Sequence, residues 1–191
     1  MDKPNYNISI IRSRRKTLSL AVPDSKTIVV RVPYRASNDY IHDFISRNQS
    51  WIDKCIDEAR EKEEKLSEII ALSELEIQEL ADKACEVFKA KVEYYAPIVG
   101  VTYGRITIRN QKTRWGSCSS IGNLNFNVAL MRAPIEVLDY VVVHELCHRL
   151  HPNHSKAFWS EVKRVLPDYK EQVKWLKNNG HKLMAEIHGA K

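Results

Sequence analysis

The segment Tyr140–Trp159, YVVVHELCHRLHPNHSKAFW, constrains this chain more than any other. It sets four of the seven histidines within eleven positions, directly behind an apolar run. In an α-helix, residues four apart lie one turn above each other on one face, so His144 and His148 can aim two imidazoles at one ion. Glu145 follows the first histidine and completes H-E-x-x-H, a pattern in which the carboxylate takes a proton from a water that the ion has acidified. The Tyr-Val-Val-Val run predicts that the helix is buried. Two histidines and a glutamate on a buried helix require a use, because an unpaired polar group there costs about 1–3 kcal/mol.

The third ligand has several candidates. His151 lies close to the first two and would crowd them; its other reading is a helix-end residue meeting the last carbonyls. Pro152 disfavours helical backbone at His151, so the chain is expected to turn through Pro152 and Asn153 and bring His154 in from a new direction. His154 reads alternatively as a neighbour of the cap of a helix starting at Ser155. Glu161 is a rival from a later helix, with an exposed helical position as its other reading. Cys118 and Cys147 can also ligate, although Cys147 points about 100° away from His148 around the helix and reads as core.

The rest of the chain reads as α+β. Alternating segments NISIIRS, TLSLAVP and TIVVRVP predict a small N-terminal antiparallel unit of hairpins. Arg14-Arg15-Lys16 at its first turn is either a phosphate or acidic-substrate contact or a charged turn guarding a sheet edge. From Ser37, apolar residues recur at three and four through Ile56, predicting one amphipathic helix that continues into the charged stretch EAREKEEKL. Ser73 and Glu76 form a capping box, with Leu72 and Ile77 as its staple, opening a helix that runs to about Tyr95. RITIRN, RWGSCSS and NLNFNVAL predict a strand and a hairpin about Ile121-Gly122. Pro134 opens the histidine helix. Two helices follow, with Gly180 as a stop and the tail HKLMAEIHGAK unspecified. The expected division is a hairpin and helix region, 1–72, and a metal-binding domain, 73–191.

A chain of 191 residues, 43% hydrophobic, can bury such a core. No run approaches the ~20 apolar residues of a membrane helix, and MDKPNYN lacks a signal-peptide layout, so the expected compartment is the cytoplasm, with no membrane partner. Four scattered cysteines read as free thiols. The formal charge of +6 permits a polyanionic partner such as nucleic acid, but cations mixed with Glu and Asp along helices read largely as solvated surface.

TRWGSCSSIGNLNFN, YVVVHELCH, NHSKAFW and LPDYKEQVKWL occur in the order found in the YgjP-like zinc metallopeptidases, a branch of the zincins that this chain resembles over most of its length. RSRRKTLSL and the segment at Trp51 are similar to that family as well, and the H-E-x-x-H plus later histidine is similar to SprT-like and WLM proteases. The resemblance implies a minimal zincin-like domain of β-hairpin, HExxH helix and C-terminal helices. It implies Zn²⁺ on His144, His148 and His154, with Glu145 catalytic. It places the RWGSCS hairpin beside the zinc helix, where an extended peptide binds a strand edge; there Arg114 either binds a substrate carboxylate or phosphate or forms a structural salt bridge, Trp115 walls the cleft or, as the favoured reading, packs into the core, and Ser117 is a further substrate-contact candidate. Arg149 is charged where many zincins are uncharged, and is expected to face solvent or pair with an acid. Asn125 and Asn127 read as polar surface. Tyr169 and Arg132 are candidate oxyanion stabilisers.

Three functions compete. The leading expectation is a metallopeptidase acting on a polypeptide, with Glu145 activating a water for attack on a peptide carbonyl. A nucleoside triphosphate pyrophosphatase can use the same centre with Arg114 and the Arg12, Arg14, Arg15 and Lys16 cluster, although such chemistry usually recruits Mg²⁺ or Mn²⁺, which prefer oxygen ligands. A non-catalytic nucleic-acid or protein-binding module with structural zinc is the third, against which stands the open coordination position that three ligands leave.

Overall fold

The strand Thr27–Pro33 buries every second side chain, and that alternation organises the first part of the molecule: Ile28, Val30 and Val32 are fully enclosed. A computed structural model describes residues 6–189; Ala190, Lys191 and most of the opening MDKPNYN lie outside them. The chain forms two compact units, Met1–Glu68 and Ile69–Lys191.

The first unit has strands β1 (Asn7–Ser13), β2 (Ser19–Asp24) and β3 (Thr27–Pro33), then helices α1 (Asn38–Arg47) and α2 (Gln49–Ser67). The sheet order is β1-β3-β2. β2 and β3 form the expected hairpin, whereas β1 pairs in parallel with β3, from Asn7 opposite Thr27 to Ser13 opposite Pro33. Alternation marks strands without assigning neighbours, and the most apolar strand takes the centre. Arg14 to Leu18 is therefore a crossover and not a hairpin turn. Ile41, Ile45, Ile52 and Ile56 close the core from the helices.

The single helix expected after Ser37 is two. At Asn48 the backbone leaves helical geometry, its N–H bonds to Ile45 O, and its side-chain amide donates to Phe44 O at 2.7 Å. An asparagine that captures a carbonyl of the preceding turn competes with helix propagation. The charged stretch is not wholly solvated: Glu63 accepts from Ser25 N at 2.9 Å and Ser25 Oγ at 2.5 Å, pinning the β2–β3 turn to α2.

The second unit runs α3 (Glu74–Val99), β4 (Ile106–Arg109), β5 (Gly116–Cys118), β6 (Leu124–Asn127), a 3₁₀ turn (Val128–Arg132), α4 (Ile135–Cys147), α5 (Lys156–Val165) and α6 (Tyr169–His188). The capping box of Ser73 and Glu76 is present, and Leu72 and Ile77 pack into one cluster. α3 continues through Pro97 and ends at Gly100, which takes the left-handed conformation at φ 80°. β6 stops at Asn127 because the Asn127 side chain caps the 3₁₀ turn through Ala129 N at 3.0 Å. Gly180 is not a stop. It lies within α6, where a Cβ would sit 2.7 Å from Trp115 Cζ2, so the glycine admits the indole.

The sheet order is β4-β6-β5, with β4 parallel and β5 antiparallel to β6. Phe88 of α3 stacks on Phe126 of β6 with centroids 4.5 Å apart. α4 lies in this core: Val137, Leu138 and the run from Tyr140 to Val143 are buried, as are Leu146 and Cys147. The fold is α+β, with two mixed three-stranded sheets and six α-helices among the described residues. No helix among those residues is long and apolar enough to cross a membrane.

Candidate metal centre

His144 is on the last turn of α4, His148 caps that helix, and His154 stands just before Ser155, whose hydroxyl caps α5 through Phe158 N. Between them the chain leaves the helix and bends at Pro152-Asn153. The three side chains converge: one ligand atom from each lies within 4.8 Å of the others, and His144 Nε2 is 3.0 Å from His154 Nε2. Nitrogens sharing a tetrahedral ion at about 2.0–2.1 Å would stand roughly 3.3 Å apart, a spacing that the His144–His154 pair already approaches.

The rings are fixed from behind. His148 Nδ1 lies 3.1 Å from the His151 carbonyl, which can only accept, so this nitrogen carries the proton and Nε2 is free as a donor. His144 Nδ1 lies 3.3 Å from the Tyr140 hydroxyl. Phe158, fully buried, packs beneath all three imidazoles with centroids 4.7 to 4.9 Å away. Trp159 stacks on His154 and on Tyr169, and Tyr169 stacks in turn on Tyr140.

Glu145 faces β5. It is 5% exposed, and a Cβ on Gly116 would meet its Oε1 at 2.7 Å and its Cγ at 2.8 Å, so the glycine of RWGSCS makes room for this carboxyl. Burial pushes the Glu145 carboxyl up to about 8. Burial first, then the neighbouring His148 and His154, pulls His144 down to about 3, keeping it neutral and available to a metal. His148 is lowered by burial, partly opposed by the His151 carbonyl. Positive charge held by the three rings would offset the cost of an ionised Glu145.

Beside His144 and Glu145 opens a cavity of about 350 Å³. Val141, Val173 and Leu176 give it apolar walls, Trp115 and Tyr140 aromatic ones, and Arg114 lines it as an exposed cation.

Other candidates fall elsewhere. Glu161 pairs with Arg164 at 2.6 Å and stays outside the triad. His151 contributes its backbone carbonyl, not its ring. Cys147 is buried with its thiol pushed up to about 12 by burial and then by Glu161, and Cys118 is half-buried and raised by burial and then by Glu145. Ser117 does not line the cavity; its hydroxyl accepts from Asn125 across the strand pair at 3.0 Å. Asn127 is not surface: at 1% exposure it donates to the Gln111 and Arg114 carbonyls and holds the loop before β5. Arg132 is committed to Glu186 at 3.0 Å. Arg149 is half-buried, and its partners are backbone carbonyls, not an acid. Its guanidinium donates to Thr102 O and Ser120 O, and Gly122, at φ 88°, gives it passage.

A family model described as YgjP-like, metallopeptidase domain, matches residues 16–79 and 71–179. The chain belongs to the YgjP-like metallopeptidase family. Among solved structures it is similar to the metallopeptidase zymogen abylysin of Pyrococcus abyssi, at 26% identity over 48% of this chain and 93% of that one, with a TM-score of 0.44. It is also similar to the zymogen jannalysin of Methanocaldococcus jannaschii, at 22% identity over 48% and 95%, with a TM-score of 0.42. No curated protein matches its sequence. As a member of this family the chain carries, in His144, His148 and His154, a set able to bind a metal.

Sequence reasoning passed over Tyr140 and Phe158 as site residues. Tyr140 precedes His144 by four, the same spacing that pairs His144 with His148, so periodicity could have found it. Phe158 carries no such mark, because its place under the rings depends on how α5 docks.

Proposed function

We propose that the chain is a zinc-dependent peptidase in which Glu145 is the proton acceptor. The observation that carries this reading is the convergence of three imidazole donors beside one buried carboxyl and an open cavity. An all-imidazole set suits Zn²⁺ better than Mg²⁺ or Ca²⁺, and three ligands with His154 exposed leave a coordination position open. When bound there, the ion would polarise the scissile carbonyl and acidify a water.

Glu145, held against Gly116, receives the proton of the attacking water and passes it to the leaving amine. Tyr140 orients His144 through Nδ1, and the His151 carbonyl does the same for His148. β5 is an edge strand, able to hold an extended substrate by main-chain hydrogen bonds. The cavity behind His144 then takes one substrate side chain of apolar character, with Arg114 at hand for a substrate carboxylate. Arg114 is the sole cation lining it among the described residues, which supports a peptide over a polyphosphate.

Purified protein incubated with a casein digest and with a panel of nucleoside triphosphates tests the reading. Chelator-sensitive peptide cleavage is expected, with loss of at least about 100-fold in Glu145→Gln while zinc is retained. Glu145-dependent pyrophosphate release without proteolysis would overturn it.

A further inference from the structure

The chain's positive charge is unevenly placed. Eight of the 30 Lys and Arg fall in the first 37 residues against two of the 24 acids, a balance of +6 that equals that of the whole chain; the other 154 residues are neutral in sum. The parallel pairing of β1 with β3 brings Arg12, Arg14, Arg15, Lys16 and Arg35 of this set to one end, because both strands finish there, while Lys26 lies at the other end, in the β2–β3 turn. At the first of these ends the Arg14–Leu18 crossover and the loop after β3 come side by side. Arg12 ties the loop down, donating to Tyr34 O at 3.1 Å, Ala36 O at 2.7 Å and Asn38 Oδ1 at 3.0 Å.

A concave pocket of about 580 Å³ opens at this end. Lys16 and Arg35 line it as exposed cations, Leu18 and Phe44 form its apolar wall, and Tyr40, a residue 54% exposed, lines it as well. Tyr34, beside Arg35, is 62% exposed. Ser37 already caps α1 through Tyr40 N, and Asp39 lies in the first turn, so side-chain cations and not the helix end supply the positive field.

We propose that this end of the first unit binds single-stranded nucleic acid, with backbone phosphates on Lys16 and Arg35 and an unpaired base against Tyr40. Cations alternating with exposed aromatic faces match a chain of alternating phosphates and flat bases, which stack without demanding sequence. An acidic peptide would use the cations and leave the rings idle. A duplex keeps its bases stacked and offers none to the pocket. The inference stands apart from the peptidase reading, since none of these residues belongs to the histidine centre.

The test is fluorescence anisotropy of a labelled oligothymidylate with the full chain, over a range of salt. Binding at low salt is expected, weakening as salt rises by roughly 0.7 log units per log unit of salt for each phosphate held. The double reversal Lys16→Glu with Arg35→Glu should weaken binding about tenfold or more and make that slope shallower by about one to two phosphates' worth. Tyr40→Ala should weaken it about fivefold or more and leave the slope unchanged. Lys174→Glu with Lys177→Glu, the same charge change on exposed positions of α6, should do neither. Circular dichroism checks that each variant is folded. The proposal is overturned by absence of binding at low salt, by equal losses in the two double reversals, or by a duplex of the same length binding as tightly. Polyglutamate competing as well as the oligonucleotide, with Tyr40→Ala silent, would assign the pocket to acidic peptides instead.

Discussion

The two sheets are wired alike: in each the first strand lies parallel to the third, and the second returns antiparallel to it. Their chemistry differs because of the helix set against the second strand. β2 meets α2, which buries Ile52 and Ile56 and leaves most of its length charged and exposed. β5 meets α4, which is buried on nearly every side and turns Glu145 toward Gly116. An amphipathic helix sends its polar groups to water, whereas an enclosed helix must give each of them a partner. The same strand order thus frames a solvated surface in one unit and a set of converging donors in the other, and function follows the site, not the topology.

Metal addition separates the two units most strongly. Zinc at about a thousandfold excess over its dissociation constant should stabilise the protein by ~4 kcal/mol, read as a rise in the unfolding midpoint. His154→Ala should abolish most of that rise. The Lys16→Glu, Arg35→Glu double variant should keep all of it, and a loss there would break the contrast between the units.

The pH dependence of the metal-free protein sharpens it. The folded Glu145 carboxyl titrates at about 8 against 4.5 for the ordinary group, so the native state holds this proton more tightly than the unfolded chain does between those values. Stability from this group is complete below about 4.5 and is lost as pH rises toward 8. Glu145→Gln should remove that decline, leaving the metal-free variant a few kcal/mol more stable than wild type at pH ~8 in urea unfolding. An unchanged decline would place the titrating group elsewhere.

A smaller effect is expected at the contact between β5 and α4. Gly116→Ala should cost about 1–3 kcal/mol in denaturant unfolding, because its methyl group meets the Glu145 carboxyl. Ser73→Ala, which removes the α3 capping box and none of the three histidines, should cost about 1 kcal/mol without touching zinc affinity.

What was legible in the sequence follows from local physics. Spacing of four puts His144 and His148 on one face, and Pro152 turns the chain so that His154 can return to them; each step needs only neighbouring residues. The Ser73 box is local in the same way. Gly180 reads as a helix stop in the sequence because its reason lies 65 positions away, in the indole of Trp115. The parallel pairing of β1 was hidden because alternation assigns a face and not a neighbour. Asn127 reads as surface in the sequence because a strand pattern does not show that its amide serves two carbonyls of a distant loop. Arg149 reads as a departure until Thr102 and Ser120 supply their carbonyls.

The central claim is that three imidazoles hold one zinc ion and leave a position open. X-ray absorption at the zinc edge measures this most directly on the loaded protein. Three imidazole nitrogens and one oxygen-type neighbour at about 2.0–2.1 Å are expected, falling to two imidazoles in His154→Ala. A sulfur neighbour at about 2.3 Å, or the same spectrum in wild type and His154→Ala, would contradict it.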